Sequence, residues 1–335
     1  MSVVKGLAVD ELLRRGSIKD VDVTRLRRAL SENGALDRSE AEILFRINDG
    51  CPVQDPSWSA LFIEAITDYI VTRAAPEGYV TADNAEWLKA KIAPEGKVES
   101  KTELELLASV LDAARWAPES LCLFVLEQVR QAVIAGVGPL RAGKVLEPGY
   151  IMPGEIDLVR HVLFAFGGAG GIAITRGEAE LLFAIEDALR SDVVNPGWTD
   201  LFVKAITNAL MSTSGHAVPT RQDALRRELW LEHRSDLAPV VLLQQMVRAS
   251  LLAVWSSYRE QTREQRAIEH LERRRLEIIT NEEITRVEAD WLAERLGRDG
   301  RLSANERALI AVLRSESPRV GPALHSLLGQ IGLAA

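Results

Sequence analysis

The chain has 335 residues, of which 47% are hydrophobic and 26% charged, and its net charge is −8. This is the composition of an ordinary globular protein, and no apolar run is long enough to span a membrane. The acidic balance argues against nucleic-acid binding, which normally requires a basic stripe. The N-terminus lacks a signal-peptide pattern, and two cysteines, Cys51 and Cys122, are too few for a disulfide framework. We therefore expect a cytoplasmic protein with neither a membrane span nor a nucleic-acid partner.

A short phrase recurs along the chain: an aliphatic residue in a loop, followed four positions later by an acidic or polar residue that opens a helix. A Gly usually precedes the aliphatic residue by two positions, as at Gly16 and Gly78. In chain order the phrase reads Ile18…Asp22, Leu36…Glu40, Val80…Asn84, Val98…Thr102 (with Glu103 adjacent), Ile151…Glu155, Ile174…Glu178, Val218…Gln222, Ile284…Glu288 and Leu302…Glu306. Each instance predicts a helix start after a buried loop residue.

The phrases alternate between two kinds of loop at a regular spacing. Loops of the first kind lie 62, 71, 67 and 66 residues apart, at Ile18, Val80, Ile151, Val218 and Ile284. A loop of the second kind follows after 18 to 23 residues, except in the fourth unit, where the match near Leu237 is poor. This rhythm predicts about five tandem units of roughly 67 residues each.

The units also pair into a larger duplication. Units one and three are the most alike, because Glu40-Ala-Glu-Ile-Leu-Phe45 matches Glu178-Ala-Glu-Leu-Leu-Phe183. The stretch 136–149 is rich in Gly and Pro and is the best internal boundary. We predict a first pair of units over residues 1–143, a second pair over 144–281, and a fifth unit over 282–335.

Apolar residues recur at helical spacing between the loops, whereas strand signals are absent apart from a few extended loop residues. Helices are predicted at Asn84–Ile92, Glu103–Ala114, Glu178–Leu189 and Asp200–Leu210, with one long helix or two joined helices between 239 and 280. The predicted fold class is therefore all-α, built of tandem helix-loop-helix units, and an elongated arrangement is one option.

Proline marks several of the predicted helix starts, because it fits the first turn of a helix. The instances are Pro56, Pro118 and Pro196, with Pro318 a less clear one. Trp58 and Trp198 follow Pro56 and Pro196 at the same distance. We interpret both rings as core anchors rather than as ligand-stacking groups.

Two of the loops resemble the calcium loop of the EF-hand family, which has Gly at position 6, an aliphatic residue at position 8 and Glu at position 12. The matching residues are Asn33, Gly34, Leu36 and Glu40 in loop 29–40, and Asp299, Gly300, Leu302 and Glu306 in loop 295–306. The phrase Asp299-Gly-Arg-Leu302-Ser-Ala-Asn-Glu306 also resembles one found in the helical tellurite-resistance (TerB-like) family. The EF-hand resemblance implies bridges between loops, joining Leu36 to Val80, Ile174 to Val218 and Val98 to Ile151.

The acidic residues of these loops have two interpretations. A calcium site would use Asn33 and Glu40, with Ser31, in one loop, or Asp299, Ser303 and Glu306 in the other. However, position 1 is Ala29 or Arg295, where the family has Asp. A Ser, Thr or Asp precedes the acid by three residues at Asp37…Glu40, Ser100…Glu103, Thr175…Glu178, Thr285…Glu288 and Ser303…Glu306. This is the capping-box pattern, and we favour the capping interpretation over metal binding.

Other chemistry-bearing residues form no recognisable constellation. The histidines lack the spacing that places two metal ligands on one helix face, and we interpret each as a surface residue or a satisfied core residue. The glycine-dense stretch 167–171 lacks a preceding strand and a Gly-Lys-Ser/Thr sequence, so we interpret it as a turn. The basic residues Arg273–Arg275 are interleaved with glutamates and are interpreted as a solvated helix face.

The sequence thus favours a non-catalytic interaction or scaffold protein that binds a protein partner and needs no cofactor, because stacked helical repeats build extended surfaces. The alternative is a protein that responds to Ca²⁺ through one or two of the EF-hand-like loops. An enzyme of an unfamiliar type is the third option.

Overall fold

The computed structural model describes residues 9–33, 36–141, 146–164, 174–190, 194–212, 286–298 and 301–316. These residues form twelve α-helices, two strands of two residues each and one isolated bridge, so the described part is all-α as predicted. The helices are α1 (Val9–Arg15), α2 (Asp20–Asn33), α3 (Arg38–Gly50), α4 (Pro56–Thr67), α5 (Ala82–Ile92), α6 (Lys101–Ala113), α7 (Glu119–Ala135), α8 (Pro153–Phe164), α9 (Arg176–Ala188), α10 (Pro196–Ser212), α11 (Arg286–Arg295) and α12 (Ala304–Glu316). None of the helices in these ranges is both long and apolar enough to cross a membrane.

The chain divides into two compact regions, Met1–Val193 and Val194–Ala335. The first region contains α1 to α9, and the second contains α10 to α12. The predicted boundary at 143/144 falls inside the first region, where α7 packs against both α8 and α9. The division of the sequence at 143 and 281 concerns pairs of repeats and stays a prediction. The expected helix between 239 and 280 lies outside the described residues.

The predicted helix starts agree closely with the observed ones. The four helices predicted from periodicity correspond to α5, α6, α9 and α10, each beginning two to four residues earlier than predicted. Pro56 and Pro196 are the first residues of α4 and α10, and Pro118 immediately precedes α7. Trp58 and Trp198 are fully buried, as expected of core anchors.

Aromatic side chains link the helices at the centre of the first region. Phe45 of α3 meets Phe62 of α4 edge to face, with 5.1 Å between ring centroids, and meets Trp87 of α5 in the same way at 5.7 Å. Tyr69 contacts the other side of Trp87 at 5.7 Å. This cluster joins three consecutive helices, and all four rings are buried.

The expected bridges between aliphatic loop residues are wrong where the structure describes both partners. Leu36, Val80, Val98 and Ile151 belong to no strand or bridge. Instead, the first-kind loops at Ile18, Val80 and Ile151 each pair with a segment that follows a helix further along the chain. β1 (Ser17–Ile18) runs parallel to β2 (Val53–Gln54), and Tyr79 forms a parallel bridge with Trp116. The third expected partner, Val218, lies outside the described residues.

A glycine with positive φ lies at the centre of each of these pairings. The carbonyl groups of Gly16, Gly78 and Gly149 accept the N–H groups of Val53, Arg115 and Arg190, respectively. Gly78 has φ of 84° and Gly149 has φ of 83°, values that L side chains rarely adopt. A Cβ at Gly149 would also lie 2.6 Å from Cγ of Arg190. Backbone conformation and close approach therefore explain why these positions are Gly.

At the loop that precedes α6, the side chain of a buried glutamine makes the hydrogen bonds to the loop backbone that a paired segment makes elsewhere. Oε1 of Gln128 on α7 accepts the N–H of Val98 at 2.8 Å, and its Nε2 donates to the carbonyl of Gly96 at 3.2 Å. Val98 and Gln128 are both buried, so water cannot replace the bond from the Val98 N–H. The loop conformation therefore depends on a side chain 30 residues away.

We expect Gln128→Leu to lower the free energy of unfolding by about 1–3 kcal/mol, because it leaves the buried N–H of Val98 without an acceptor. Urea unfolding followed by circular dichroism measures the change. Gln131→Leu is the matched control, since Gln131 lies one turn further along α7 and is only partly buried. The control should change stability by no more than about 0.5 kcal/mol. Equal effects of the two substitutions would contradict the assigned role of Gln128.

Candidate functional site

The acidic residues singled out in the sequence lie at helix starts and form capping boxes. Glu40, Glu103 and Glu178 are the third residues of their helices, and each carboxylate accepts the backbone N–H of the capping residue. The capping side chain in turn accepts the N–H of the glutamate. In α9, for example, Thr175 N–H donates to Glu178 at 2.8 Å, and Glu178 N–H donates to the Thr175 hydroxyl at 3.1 Å. The capping prediction is confirmed at these three helices.

The start of α12 carries the same arrangement and extends it. Ser303 N–H donates to Oε2 of Glu306 at 2.7 Å, and Glu306 N–H donates to the Ser303 hydroxyl at 3.0 Å. The other carboxylate oxygen, Oε1, accepts the N–H of Gly297 at 2.9 Å. The carboxylate of Glu306 therefore ties both ends of the loop between α11 and α12 together.

The capping carboxylates of Glu103 and Glu178 are buried, and burial raises the pKa of both. Burial raises the pKa of Glu178 above its usual 4.5, hydrogen bonds from Thr175 counteract this, and the charge of Glu119 raises it further. Burial likewise raises the pKa of Glu103, against the hydrogen bonds of Ser100. Because the folded protein binds these protons more tightly than the unfolded chain does, lowering the pH through these pKa values favours the folded state at both sites.

The predicted metal ligands are placed as follows. Glu40, Ser303 and Glu306 take part in the caps described above. The side chain of Asn33 and the whole of Asp299 lie outside the described residues. The backbone of α2 is helical through Asn33, so the first five positions of the 29–40 frame are helix rather than loop. No group of three or more His, Cys, Asp or Glu suited to a metal occurs in the ranges that the structure describes. The calcium alternative stays a prediction.

We expect the melting temperature in millimolar calcium and in a chelator to agree within about one degree. A site filled at 100 times its Kd would add about 2.7 kcal/mol, which raises the melting temperature by several degrees. Ser303→Ala should lower stability by about 0.5–2 kcal/mol with or without calcium, because it removes a cap. Thermal melts of the wild type, Ser303→Ala and Glu306→Gln measure both effects. A calcium-dependent rise that disappears in Glu306→Gln would favour the calcium alternative.

Sequence reasoning missed a buried ion pair at the start of α8. Arg141 and Glu155 are each 1% exposed. Nε and Nη2 of Arg141 donate to the two carboxylate oxygens of Glu155 at 2.7 and 2.9 Å, and Nη2 also donates to the Tyr150 carbonyl. Glu155 additionally accepts the N–H of Met152, as a capping glutamate does. Removing either partner would leave an uncompensated buried charge, which typically costs about 3–5 kcal/mol. The sequence had singled out Glu155 in the phrase Ile151…Glu155, whereas its partner was only an Arg inside the Gly/Pro-rich stretch.

His161 and Asp112 form a second pair that the sequence did not indicate. Nε2 of His161 on α8 lies 2.7 Å from Oδ2 of Asp112 on α6, although its N–H is poorly aligned for a linear hydrogen bond. Burial alone would lower the pKa of His161. The hydrogen bonding and charge of Asp112, together with a hydrogen bond to the Ala108 backbone, outweigh burial and raise that pKa above 6.5. The remaining histidines lie outside the described residues.

We expect Asp112→Asn to destabilise the protein at about pH 6 by roughly 1 kcal/mol, the scale of a partly exposed ion pair. The effect should fade at higher pH. Because the pKa of His161 is raised by folding, the pair stabilises fully below about pH 6.5 and is lost as pH rises through the folded-state pKa. Urea unfolding at several pH values measures the difference. His161→Gln should give the same pH profile, and adding Asp112→Asn to it should change little. A pH-independent difference would contradict this account.

The Tyr79–Trp116 bridge carries an exposed aromatic surface, defined here by Tyr79, Arg115 and Trp116. Tyr79 and Trp116 are 43% and 41% exposed, whereas most large apolar residues described are buried. Paired residues of adjacent extended segments point to the same side, so the rings share one face. The Arg115 side chain lies against Gly78, where an added Cβ would come within 3.0 Å of its Cδ, and its residue is exposed. The sequence did not signal this surface, because the two aromatic residues are far apart in the chain.

The features described above are the capped helix starts, the Arg141–Glu155 and His161–Asp112 pairs, and the aromatic surface. No protein-family model, curated protein or solved structure matches the chain. The function is therefore argued from this geometry alone.

Proposed function

We propose that the chain is a non-catalytic cytoplasmic interaction protein, a scaffold of EF-hand-like or TerB-like helical repeats that binds a protein partner. The observation that carries the proposal is the aromatic surface. Trp, Tyr and Arg are the residue types that most often dominate binding energy at protein interfaces. Here one residue of each type lies at a single bridge, held by backbone hydrogen bonds of Arg115 and Val80.

Recurring geometry supports the repeat part of the proposal. Trp58 and Phe62 have ring centroids 5.8 Å apart and planes inclined at 31°, and Trp198 and Phe202 repeat this arrangement at 6.0 Å and 31°. The glycine carbonyl that accepts an N–H at each first-kind loop recurs three times in the described residues. Repeats of this kind present equivalent surface positions along the chain, and these can vary without disturbing the core.

The chemistry of the aromatic surface indicates the kind of segment it would bind. Two partly exposed rings side by side favour an apolar side chain, which would remove them from water. Arg115 contributes a guanidinium group that forms no ion pair with the described part of the chain. A carboxylate is the complementary group, because Arg binds it with two parallel hydrogen bonds. The proposed partner is therefore a protein segment with an apolar residue beside an acidic one.

We expect Trp116→Ala and Arg115→Glu each to weaken binding of this partner about tenfold or more, the effect of losing roughly 1.4 kcal/mol. A photo-crosslinking residue at position 116 in the full chain identifies the partner in source cells. Purified partner is then titrated against the wild type and both variants. A peptide containing the crosslinked segment, with its acidic residue changed to the amide, tests the pairing with Arg115.

Val53→Ala is the matched control, since Val53 lies in β2 and is 67% exposed. Binding should be unchanged in this variant, and thermal melts should show all three variants folded. Full-strength binding by both Trp116→Ala and Arg115→Glu would refute the proposal. A crosslink that forms equally at position 53 would do the same.

A further inference from the structure

Three pairs of helices pack together in a recurring way. In the first region α4 packs against α6 and α7 against α9, and in the second region α10 packs against α12. The first helix of each pair begins at or next to a proline, and the second begins with a capping box. In the first two pairs, the third helix of one predicted repeat therefore contacts the second helix of the next.

In the third pair the two helices do not belong to successive predicted repeats, although they pack together as in the first two pairs. By the predicted repeats, α10 is the third helix of repeat three, whereas α12 is the second helix of repeat five. The second helix of repeat four, expected after Leu237, would have been the regular partner of α10. Instead, the helix that packs against α10 is α12, in the way that α6 packs against α4 and α9 packs against α7.

Hydrogen bonds between first turns support the equivalence. The Thr175 hydroxyl, at the start of α9, donates to Oε1 of Glu119 at the start of α7, at 2.7 Å. The Thr199 hydroxyl, in the first turn of α10, donates to Oδ1 of Asn305 in the first turn of α12, at 2.5 Å. In both pairs the N-terminal turns therefore lie side by side, although they are 56 and 106 residues apart in sequence.

The buried faces of the two capped helices also correspond. Seven and ten residues after its capping residue Thr175, α9 buries Leu182 and Ile185. At the same distances from Ser303, α12 buries Ile310 and Leu313. Both helices thus bury apolar residues at the same two positions, as expected if they fill the same place in the fold.

We propose that the stack of repeats passes from α10 directly to α12, which takes the place expected of the second helix of repeat four. The poor match at Leu237, in contrast to the phrase at Val218…Gln222, agrees with this. Elsewhere the link between the third helix of one repeat and the first helix of the next is much shorter. A π-helical segment, Asp68–Arg73, directly follows α4 and residues 74–81 connect it to α5, while residues 136–152 connect α7 to α8. A longer connection between α10 and α11 is tolerable because the entropic cost of closing a connection grows only with the logarithm of its length.

This inference does not depend on the proposed partner, and stability measurements alone test it. The first test uses the full chain with Thr199→Cys and Asn305→Cys introduced together. Oxidation should close an intramolecular disulfide, seen as a shift on a non-reducing gel, because the two side chains touch. Asp200→Cys with Arg307→Cys is the control pair, since both residues are exposed. The native cysteines are buried and should not interfere. Failure of the first pair to close would overturn the assigned packing of α10 and α12.

The second test removes residues 216–282 and joins the ends with a short Gly/Ser linker. The shortened chain should unfold cooperatively, with a melting temperature within a few degrees of the full chain, and should still close the Thr199–Asn305 cysteine pair. Leu309 is fully buried in the full chain. If the shortened chain keeps the packing of α12, Leu309→Asp should lower the melting temperature similarly in both. A shortened chain that melts without cooperativity, or loses the disulfide, would show that the segment belongs to the stack and overturn the proposal.

Discussion

A single interaction underlies the described fold: a buried glutamate carboxylate accepts the backbone N–H of the residue three positions before it. The loops are held inside by aliphatic residues such as Val98 and Ile174, so the N–H groups at the starts of the helices that follow are partly buried. A helix start leaves its first N–H groups without partners, and burial makes this costly. The carboxylate resolves the conflict, and its own burial explains why the pKa values of Glu103 and Glu178 rise.

The same constraint explains why the loops look like calcium loops. Any short connection between two helices that buries one extended residue can use this pattern. The Gly ends the first helix, the aliphatic residue is buried, and the Glu caps the second helix. In an EF-hand the last Glu binds the ion with both oxygens. In the loop before α12, one oxygen of Glu306 accepts the N–H of Gly297 and the other accepts that of Ser303. The loop is therefore closed by backbone donors where the EF-hand loop is closed by an ion.

Local signals predicted the helices and their caps, whereas contacts between distant segments were not predictable. A capping box or a Pro at a first turn lies within a few residues of what it determines, so Thr175 and Pro196 could be interpreted directly. The bridge between Tyr79 and Trp116 depends on backbone groups, which every residue carries, and the expected pairing of Leu36 with Val80 was wrong for that reason. Three side-chain contacts join residues that are 14 to 49 positions apart, namely Gln128 with Val98, Arg141 with Glu155, and His161 with Asp112. No spacing rule connects such partners. Only the positive-φ glycines gave a usable signal, because they marked the loops whose carbonyl groups are paired.

At the bridges, the fold requires a buried aliphatic residue on the inner side, whereas the exposed residues on the outer side can vary. On the inner side, Ile18, Val80 and Ile151 are all buried aliphatic residues, since each anchors a loop. The residue just before the anchor differs between the loops. Ser17 pairs with Val53 in the first loop, whereas Tyr79 pairs with Trp116 in the second. Packing cannot dictate these outer side chains, because they contribute little to the core. An aromatic pair exposed to water at one bridge, in place of the smaller Ser and Val at another, has no structural cause in the described contacts, and this is the difference on which the proposed binding role rests.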